Sequence, residues 1–297
     1  MKTFSFGVLV SAYLISASAF GQKAELRQKV AEISRSVDGQ VGVAIMDLQT
    51  KDTLVHNVHG IFPMQSVFKF PIALTVLDQV DKKKFSLGKK LKLTERDLLP
   101  NTWSPLREKY PDANVEVTVE EILKYMVSYS DNNACDILLR LVGGPKRVNQ
   151  YVHKLGVNEI QIKFNEEEMH AAWGNQFDNW SKTRSMLKLL ELFYDKKLLS
   201  QNSHDLLWKM MAETTTGPNR IKGLLPKDTE VLHRTGTGGT NEQGVNGAVN
   251  DIGIVQLPNG KYFAIVIYLG RVKGQLPDLE RKIAEISLAA FNSAWLN

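Results

Sequence analysis

The sequence predicts an α+β fold: a five-stranded antiparallel sheet built from both termini and flanked by helices, with an all-helical second lobe inserted between them. Three observations lead there. Alternating β-branched runs occur near the two ends of the chain, and the stretch from about 66 to 215 carries helical periodicity. No repeat, low-complexity tract or Pro/Gly/Ser linker divides the parts.

Residues 1–21 precede that fold. Lys2 is their only charge, an apolar run from Phe4 to Ile15 follows, and Ser16-Ala17-Ser18-Ala19-Phe20-Gly21 closes the segment with small residues. These are the three regions of a secretory signal peptide. Ala17 and Ala19 suit cleavage before Phe20, whereas Ala19 and Gly21 suit cleavage before Gln22. The apolar run is shorter than the roughly 20 residues a membrane span needs, and no later segment is long enough, so an exported, periplasmic protein with no membrane span after cleavage is expected.

Residues 22–297 are expected to form one domain of two lobes, an α/β lobe at about 22–65 and 216–297 and a helical lobe at about 66–215. A helical segment at 23–35 leads into Gln40-Val41-Gly42-Val43-Ala44-Ile45-Met46-Asp47, which alternates as a strand does, with 53–58 as its partner. Three more strands are predicted at 231–237, 252–256 and 262–268, before an amphipathic helix at 277–295. Between the two sets come helices at 68–80, 118–127, 145–155, 183–194 and 203–213, the second opened by the capping box Thr118-x-x-Glu121. A cleft between the lobes is the expected site.

Composition narrows the partners. The 297 residues carry 37 Lys plus Arg against 32 Asp plus Glu, a formal charge of +5, and are 43% hydrophobic, as an ordinary globular protein is. The run Lys82-Lys83-Lys84 has no interleaved aromatics and reads as a solvated helix end, so no nucleic-acid partner is expected. Cys135 is the only cysteine and has no partner for an internal disulfide; its surroundings, Asn132-Asn133-Ala134-Cys135-Asp136-Ile137-Leu138, read as a helix that buries the thiol. His56 and His59 are the only close histidine pair, and no His-Glu-x-x-His array exists, so neither a metal nor another cofactor is expected. A monomer is the expected state.

Three short motifs carry the chemistry. Ser66-Val67-Phe68-Lys69 opens a helix, and a spacing of three puts the Lys69 amine within reach of the Ser66 hydroxyl, a weak nucleophile until a base takes its proton. Ser86-Leu87-Gly88-Lys89 and Ser185-Met186-Leu187-Lys188 share that spacing, so it selects nothing alone. Ser130-Asp131-Asn132 lies at a helix junction, where all three residue types cap helices well; functionally, Ser130 would carry a proton and Asn132 would hold a substrate amide, with Asp131 structural. His233-Arg234-Thr235-Gly236-Thr237-Gly238-Gly239 ends a predicted strand, where glycines allow close approach and a cation beside two hydroxyls suits a carboxylate.

Together, in this order and on these elements, the motifs resemble those of the serine β-lactamases and penicillin-binding proteins, with Arg-Thr-Gly in place of the commoner Lys-Thr-Gly. The resemblance covers nearly the whole mature chain and looks closest to the extended-spectrum, Bacteroidetes-associated branch of class A. It implies a β-lactamase or D,D-peptidase-like fold and hydrolysis of penicillins and cephalosporins through a serine acyl-enzyme, giving antibiotic resistance. A D,D-peptidase, or a penicillin-binding sensor that acylates once, is the alternative. By the same resemblance Ser66, Lys69, Ser130 and Glu166 are catalytic, Glu166 taking the place of the Ω-loop glutamate in Asn165-Glu166-Glu167-Glu168-Met169-His170. Trp103, Asn132, His170, Arg234, Thr235 and Thr237 are implied to bind substrate. Arg220, in Thr216-Gly217-Pro218-Asn219-Arg220, is the candidate for a further carboxylate-binding cation, since 239–244 contains no arginine. Many members clamp the Ω loop with an Arg–Asp pair, but the corresponding positions here hold Phe164 and Asn179, with Lys163 and Asp178 beside them.

Overall fold

The structure, a computed structural model, describes residues 7–297, with side chains from residue 21 onward, so all but the last residue of the predicted export signal lies outside the residues described in full. Helix α1 (Gly7–Arg35) contains the predicted segment at 23–35 and leads into β1 (Asp38–Asp47), β2 (Thr53–His56) and β3 (Phe62–Pro63). A 3₁₀ turn at Gln65–Phe68 runs directly into α2 (Lys69–Asp81). A small hairpin of β4 (Lys90–Leu93) and β5 (Val115–Thr118) surrounds a short helix, α3 (Pro105–Lys109).

The helical stretch continues with α4 (Val119–Ser128), α5 (Asn132–Val142) and α6 (Pro145–Lys154). The Thr118 side chain accepts from the Glu121 amide as predicted, but the capping box is only half made, because Glu121 turns its carboxylate to Lys109 and Tyr110 instead. After β6 (Ile160–Gln161) come the short α7 (Glu166–His170), a 3₁₀ turn at Trp173–Phe177 and β7 (Trp180–Ser181), then α8 (Thr183–Tyr194) and α9 (Gln201–Ala212). The chain returns through β8 (Val231–Thr237), β9 (Val245–Gln256) and β10 (Tyr262–Lys273) to α10 (Leu276–Phe291).

The five predicted strands are present as one antiparallel sheet in the order β2-β1-β10-β9-β8. Strand β9 starts at Val245, seven residues before the predicted 252, because its first half, Val245-Asn246-Gly247-Ala248-Val249-Asn250-Asp251, is too polar to read as a buried strand. Both faces of the sheet are covered. Val43, Ile45, Ile265 and Ile267 face a core completed by α1 and α10, while Ala44, Met46, Val266 and Tyr268 face the larger core shared with the helices. Helix α8, although central in sequence, packs on β1 and β10. Cys135 is fully buried, and burial pushes its thiol well above the usual range. The run 82–84 is a solvated helix end, with Lys82 paired to Asp78 at 2.8 Å. Among the described residues, no helix is long and apolar enough to cross a membrane.

Candidate active site

Ser66 lies in the 3₁₀ turn, where residues three apart eclipse one another, so Lys69 is stacked beside it. Lys69 Nζ donates to Ser66 Oγ at 3.0 Å, to the Ser130 carbonyl at 2.8 Å and to Asn132 Oδ1 at 2.5 Å, and lies 2.7 Å from Glu166 Oε1. A cation with no solvent exposure needs such acceptors, since burying it unpaired would be prohibitive. Ser66 Oγ is also 3.4 Å from Glu166 Oε1. The two other Ser-x-x-Lys segments are built differently. Ser86 and Lys89 are exposed around a turn, and Lys188 is exposed on α8 and paired with Glu191 at 2.8 Å.

The acidic triplet separates into three environments. Glu166 is 2% exposed and faces Lys69, whereas Glu167 is exposed and Glu168 closes a capping box with Asn165. The Glu166 and Glu167 amides both donate to Asp136, at 2.8 and 3.1 Å. Asp136 is pushed up to about 6, chiefly by burial and secondarily by the Glu166 charge, against the pull of those two bonds. His170 Nδ1 is 2.7 Å from the Glu166 carbonyl, and its ring is half exposed. At the loop ends Asn179 takes over the clamp: its Oδ1 accepts from the Lys163 and Phe164 amides at 2.8 and 2.9 Å, and its Nδ2 donates to the Phe164 carbonyl at 2.9 Å. The flanking Lys163–Asp178 pair, at 2.7 Å, is exposed.

Ser130 is held at φ +62°, a left-handed conformation uncommon outside glycine. Asp131 N-caps α5 through the Ala134 amide and also accepts from Leu106 N and Ser104 Oγ, a structural role as expected. The Asn132 amide group is spanned, its oxygen on Lys69 and its nitrogen on Thr102 Oγ1 at 2.7 Å. Trp103 stands 57% exposed at the rim, tethered by its indole N–H to the Tyr129 carbonyl at 2.9 Å.

Strand β8 supplies the opposite wall. Arg234 is fully buried and donates from Nη2 to Ser130 Oγ at 2.6 Å, while its Nε and Nη1 have no hydrogen-bond partner among the described residues. Desolvation lowers its pKa to about 10. Thr235 Oγ1 is 2.6 Å from Thr216 Oγ1. Gly236 has no room for a side chain, because a Cβ there would stand 2.4 Å from the Met64 carbonyl oxygen. Arg220, the candidate for a further carboxylate-binding cation, is packed inside the protein. It is 3% exposed, and it donates to Glu280 at 3.1 Å, to the Gly236 and Asn250 carbonyls at 3.0 and 2.8 Å, and to Thr237 Oγ1 at 2.6 Å.

One cleft of about 410 Å³ gathers Ser66, Trp103, Ser130, Asn132, Glu166, His170, Thr235 and Thr237. Lys69 and Arg234 are packed behind its wall, and Arg220 reaches it through Gly236 and Thr237. Thr216, Thr102 and Gln65 also line the cleft and were not singled out as site residues from the sequence, nor was Asp136. Only Asp136 carried a signal, its position one helical turn after Asn132 on α5.

Three comparisons bear on this arrangement. Residues 25–294 match the family model described as the β-lactamase enzyme family. β-Lactamase VEB-1 of Pseudomonas aeruginosa is 43% identical over 287 residues, covering 96% of this chain and 95% of that protein. Among solved structures, the TLA-1 extended-spectrum β-lactamase superposes with a TM-score of 0.89 at 47% identity, covering 91% of this chain and 98% of that one. A class A β-lactamase from Bacteroides cellulosilyticus superposes with a TM-score of 0.88 at 36% identity, covering 91% and 97%.

Proposed function

This chain belongs to the β-lactamase enzyme family as a class A serine enzyme that hydrolyses β-lactams and so gives resistance to them, and on that premise we propose that Ser66 is the residue acylated. The observation that carries the proposal is the bridge formed by Lys69 Nζ, 3.0 Å from Ser66 Oγ and 2.7 Å from Glu166 Oε1. Ser66 Oγ attacks the lactam carbonyl carbon, and its proton passes to Glu166 through Lys69, which gives one proton as it accepts another. The carbonyl oxygen becomes an oxyanion held by the backbone amides of Ser66 and Thr237, each such donor contributing about 10²-fold or more in kcat.

Cleavage of the carbon–nitrogen bond needs a proton on the departing nitrogen. Ser130 Oγ accepts from Arg234, which leaves its own hydrogen free to point into the cleft and serve that nitrogen, and the proton that Glu166 took from Ser66 returns through Lys69 to Ser130, restoring the hydroxyl and the carboxylate. Glu166 then removes a proton from water as the water attacks the acyl ester, a general-base effect of roughly 10² to 10⁴-fold. Its Oε2 supports this role, being buried and without a hydrogen-bond partner among the described residues. A peptidase or a single-turnover sensor has no use for a water-activating carboxylate there, so Glu166 favours the hydrolase.

The substrate carboxylate is received by Thr235, Thr237 and Ser130, with the Arg234 guanidinium supplying positive potential from behind them. Trp103, Asn132 and His170 bound the acyl side chain. We further propose an exported, periplasmic monomer without a nucleic-acid partner, folded as one catalytic domain of two lobes, about 22–65 with 216–297 and about 66–215. Mass spectrometry with a slowly released β-lactam tests the central claim: an adduct on Ser66 is expected, and an adduct elsewhere overturns it.

A further inference from the structure

Gln65, immediately before the proposed nucleophile, is held at φ +50°, a backbone conformation that costs a side-chain-bearing residue free energy and persists only where its surroundings enforce it. The surroundings are visible. Gln65 is 2% exposed, and its Nε2 donates to Gln176 Oε1 at 2.8 Å. Gln176 belongs to the 3₁₀ turn Trp173–Phe177 on the returning limb of the loop that carries Glu166, and is itself buried.

That limb runs alongside the segment entering Ser66. Phe62 and Pro63 pair with Ser181 and Trp180, Met64 N donates to the Asn179 carbonyl at 2.8 Å, and the Gln65–Gln176 bond is the last tie before Ser66. Gln176 is also wedged against the β8–β9 edge: a Cβ on Gly247 would stand 2.0 Å from its Oε1, and one on Gly238 2.8 Å. From outside, Arg271 stacks on Phe177 at 3.7 Å, securing the same turn. With its own Nε2 donating to the Trp173 carbonyl at 3.0 Å, Gln176 is immobilised on three sides, as a residue that must hold another in a strained conformation has to be.

We infer that Gln176 is a positioning residue for acylation, holding Gln65 in its left-handed conformation so that the Ser66 amide points into the oxyanion hole. This rests on the reading of Ser66 as nucleophile and of its amide as an oxyanion donor. One loop thus governs both halves of the reaction: Glu166 on its outgoing limb serves as base, and Gln176 on its returning limb sets the geometry of the electrophile's receptor.

The test is a double-mutant cycle read by the pre-steady-state acylation rate with a chromogenic cephalosporin. It is joined by the infrared carbonyl frequency of the acyl-enzyme trapped in a Glu166→Gln background. Gln176→Ala should slow acylation about tenfold, short of the roughly 10²-fold that loss of a whole oxyanion donor costs, and raise the carbonyl frequency. Gln65→Ala should slow acylation more than Gln65→Gly does, because glycine adopts φ +50° without strain. In the Gln65→Gly background, Gln176→Ala should add little. Should Gln176→Ala fail to fold, the Gln65→Ala and Gln65→Gly comparison decides alone. Additive effects, or an unchanged acylation rate and carbonyl frequency with only a lowered Tm, overturn the inference. A trapped adduct absent from Ser66 would instead overturn the underlying reading.

Discussion

Lys69 Nζ and Glu166 Oε1 stand 2.7 Å apart with both side chains shielded from solvent, a buried ion pair that joins the loop bearing Glu166 to the first turn of α2. Such a pair adds little net stability, but removing one partner strands the other charge, at a cost of about 3–5 kcal/mol. Changes at these positions will therefore alter stability as well as rate, and the two must be measured together.

Ser66→Ala is the cleanest variant. Lys69 keeps three other acceptors, so Tm should change little, while β-lactam turnover and the mass-spectrometric adduct should both vanish. Persistent turnover would show that another group forms the ester.

Glu166→Gln cannot accept a proton from water, but Lys69, 3.0 Å from Ser66 Oγ, can still take the nucleophile's proton, so the acyl-enzyme should form and accumulate, and loss of the buried pair should lower Tm. Glu167→Gln and Glu168→Gln should turn over normally, since Glu167 is exposed and Gln can replace Glu168 in its capping box. Trapping of either of these two in place of Glu166→Gln would reassign the base.

Arg220→Ala should lower kcat/KM about tenfold through loss of the charge-assisted bond to Thr237 Oγ1, the group proposed to receive the substrate carboxylate. Because Glu280 is then left buried and unpaired, Tm should fall clearly as well. Thr237→Ala separates the effects: kcat/KM should fall with Tm nearly unchanged, and an unaltered kcat/KM in both variants would confine Arg220 to a structural role.

Asp136 gives a pH dependence of defined sign. Its carboxyl is raised from 3.8 to about 6 in the folded state, so between those values the folded protein holds a proton that the unfolded chain has released. Its contribution is present below pH 3.8 and is lost as pH rises through about 6. Asp136→Asn should abolish this slope, so the Tm of the variant should gain on that of the parent as pH is raised from 4 to 7. Parallel Tm curves across that range would contradict the assignment.

How much of this was legible beforehand follows from the range of each interaction. Strands β1, β8 and the start of β10, and helices α2, α4, α6 and α8, announce themselves because a buried face imposes a period of 2 or 3.6 on the local sequence. The Ser66–Lys69 pair is legible for the same reason, since three residues of 3₁₀ turn set that distance. Motif order points to Glu166, but the sequence alone offers three glutamates in a row, and only burial against Lys69 separates one from its neighbours. Arg220 shows the limit most plainly. Its residue type marks a cation, yet whether that cation meets water, substrate or protein depends on Glu280, Gly236, Asn250 and Thr237, which converge on it from three other elements. Gln176 left no local trace at all, because an amide hydrogen bond across 111 residues imposes no period on the chain, and the strained conformation it braces at Gln65 exists only once the sheet, the turn and the loop are packed together.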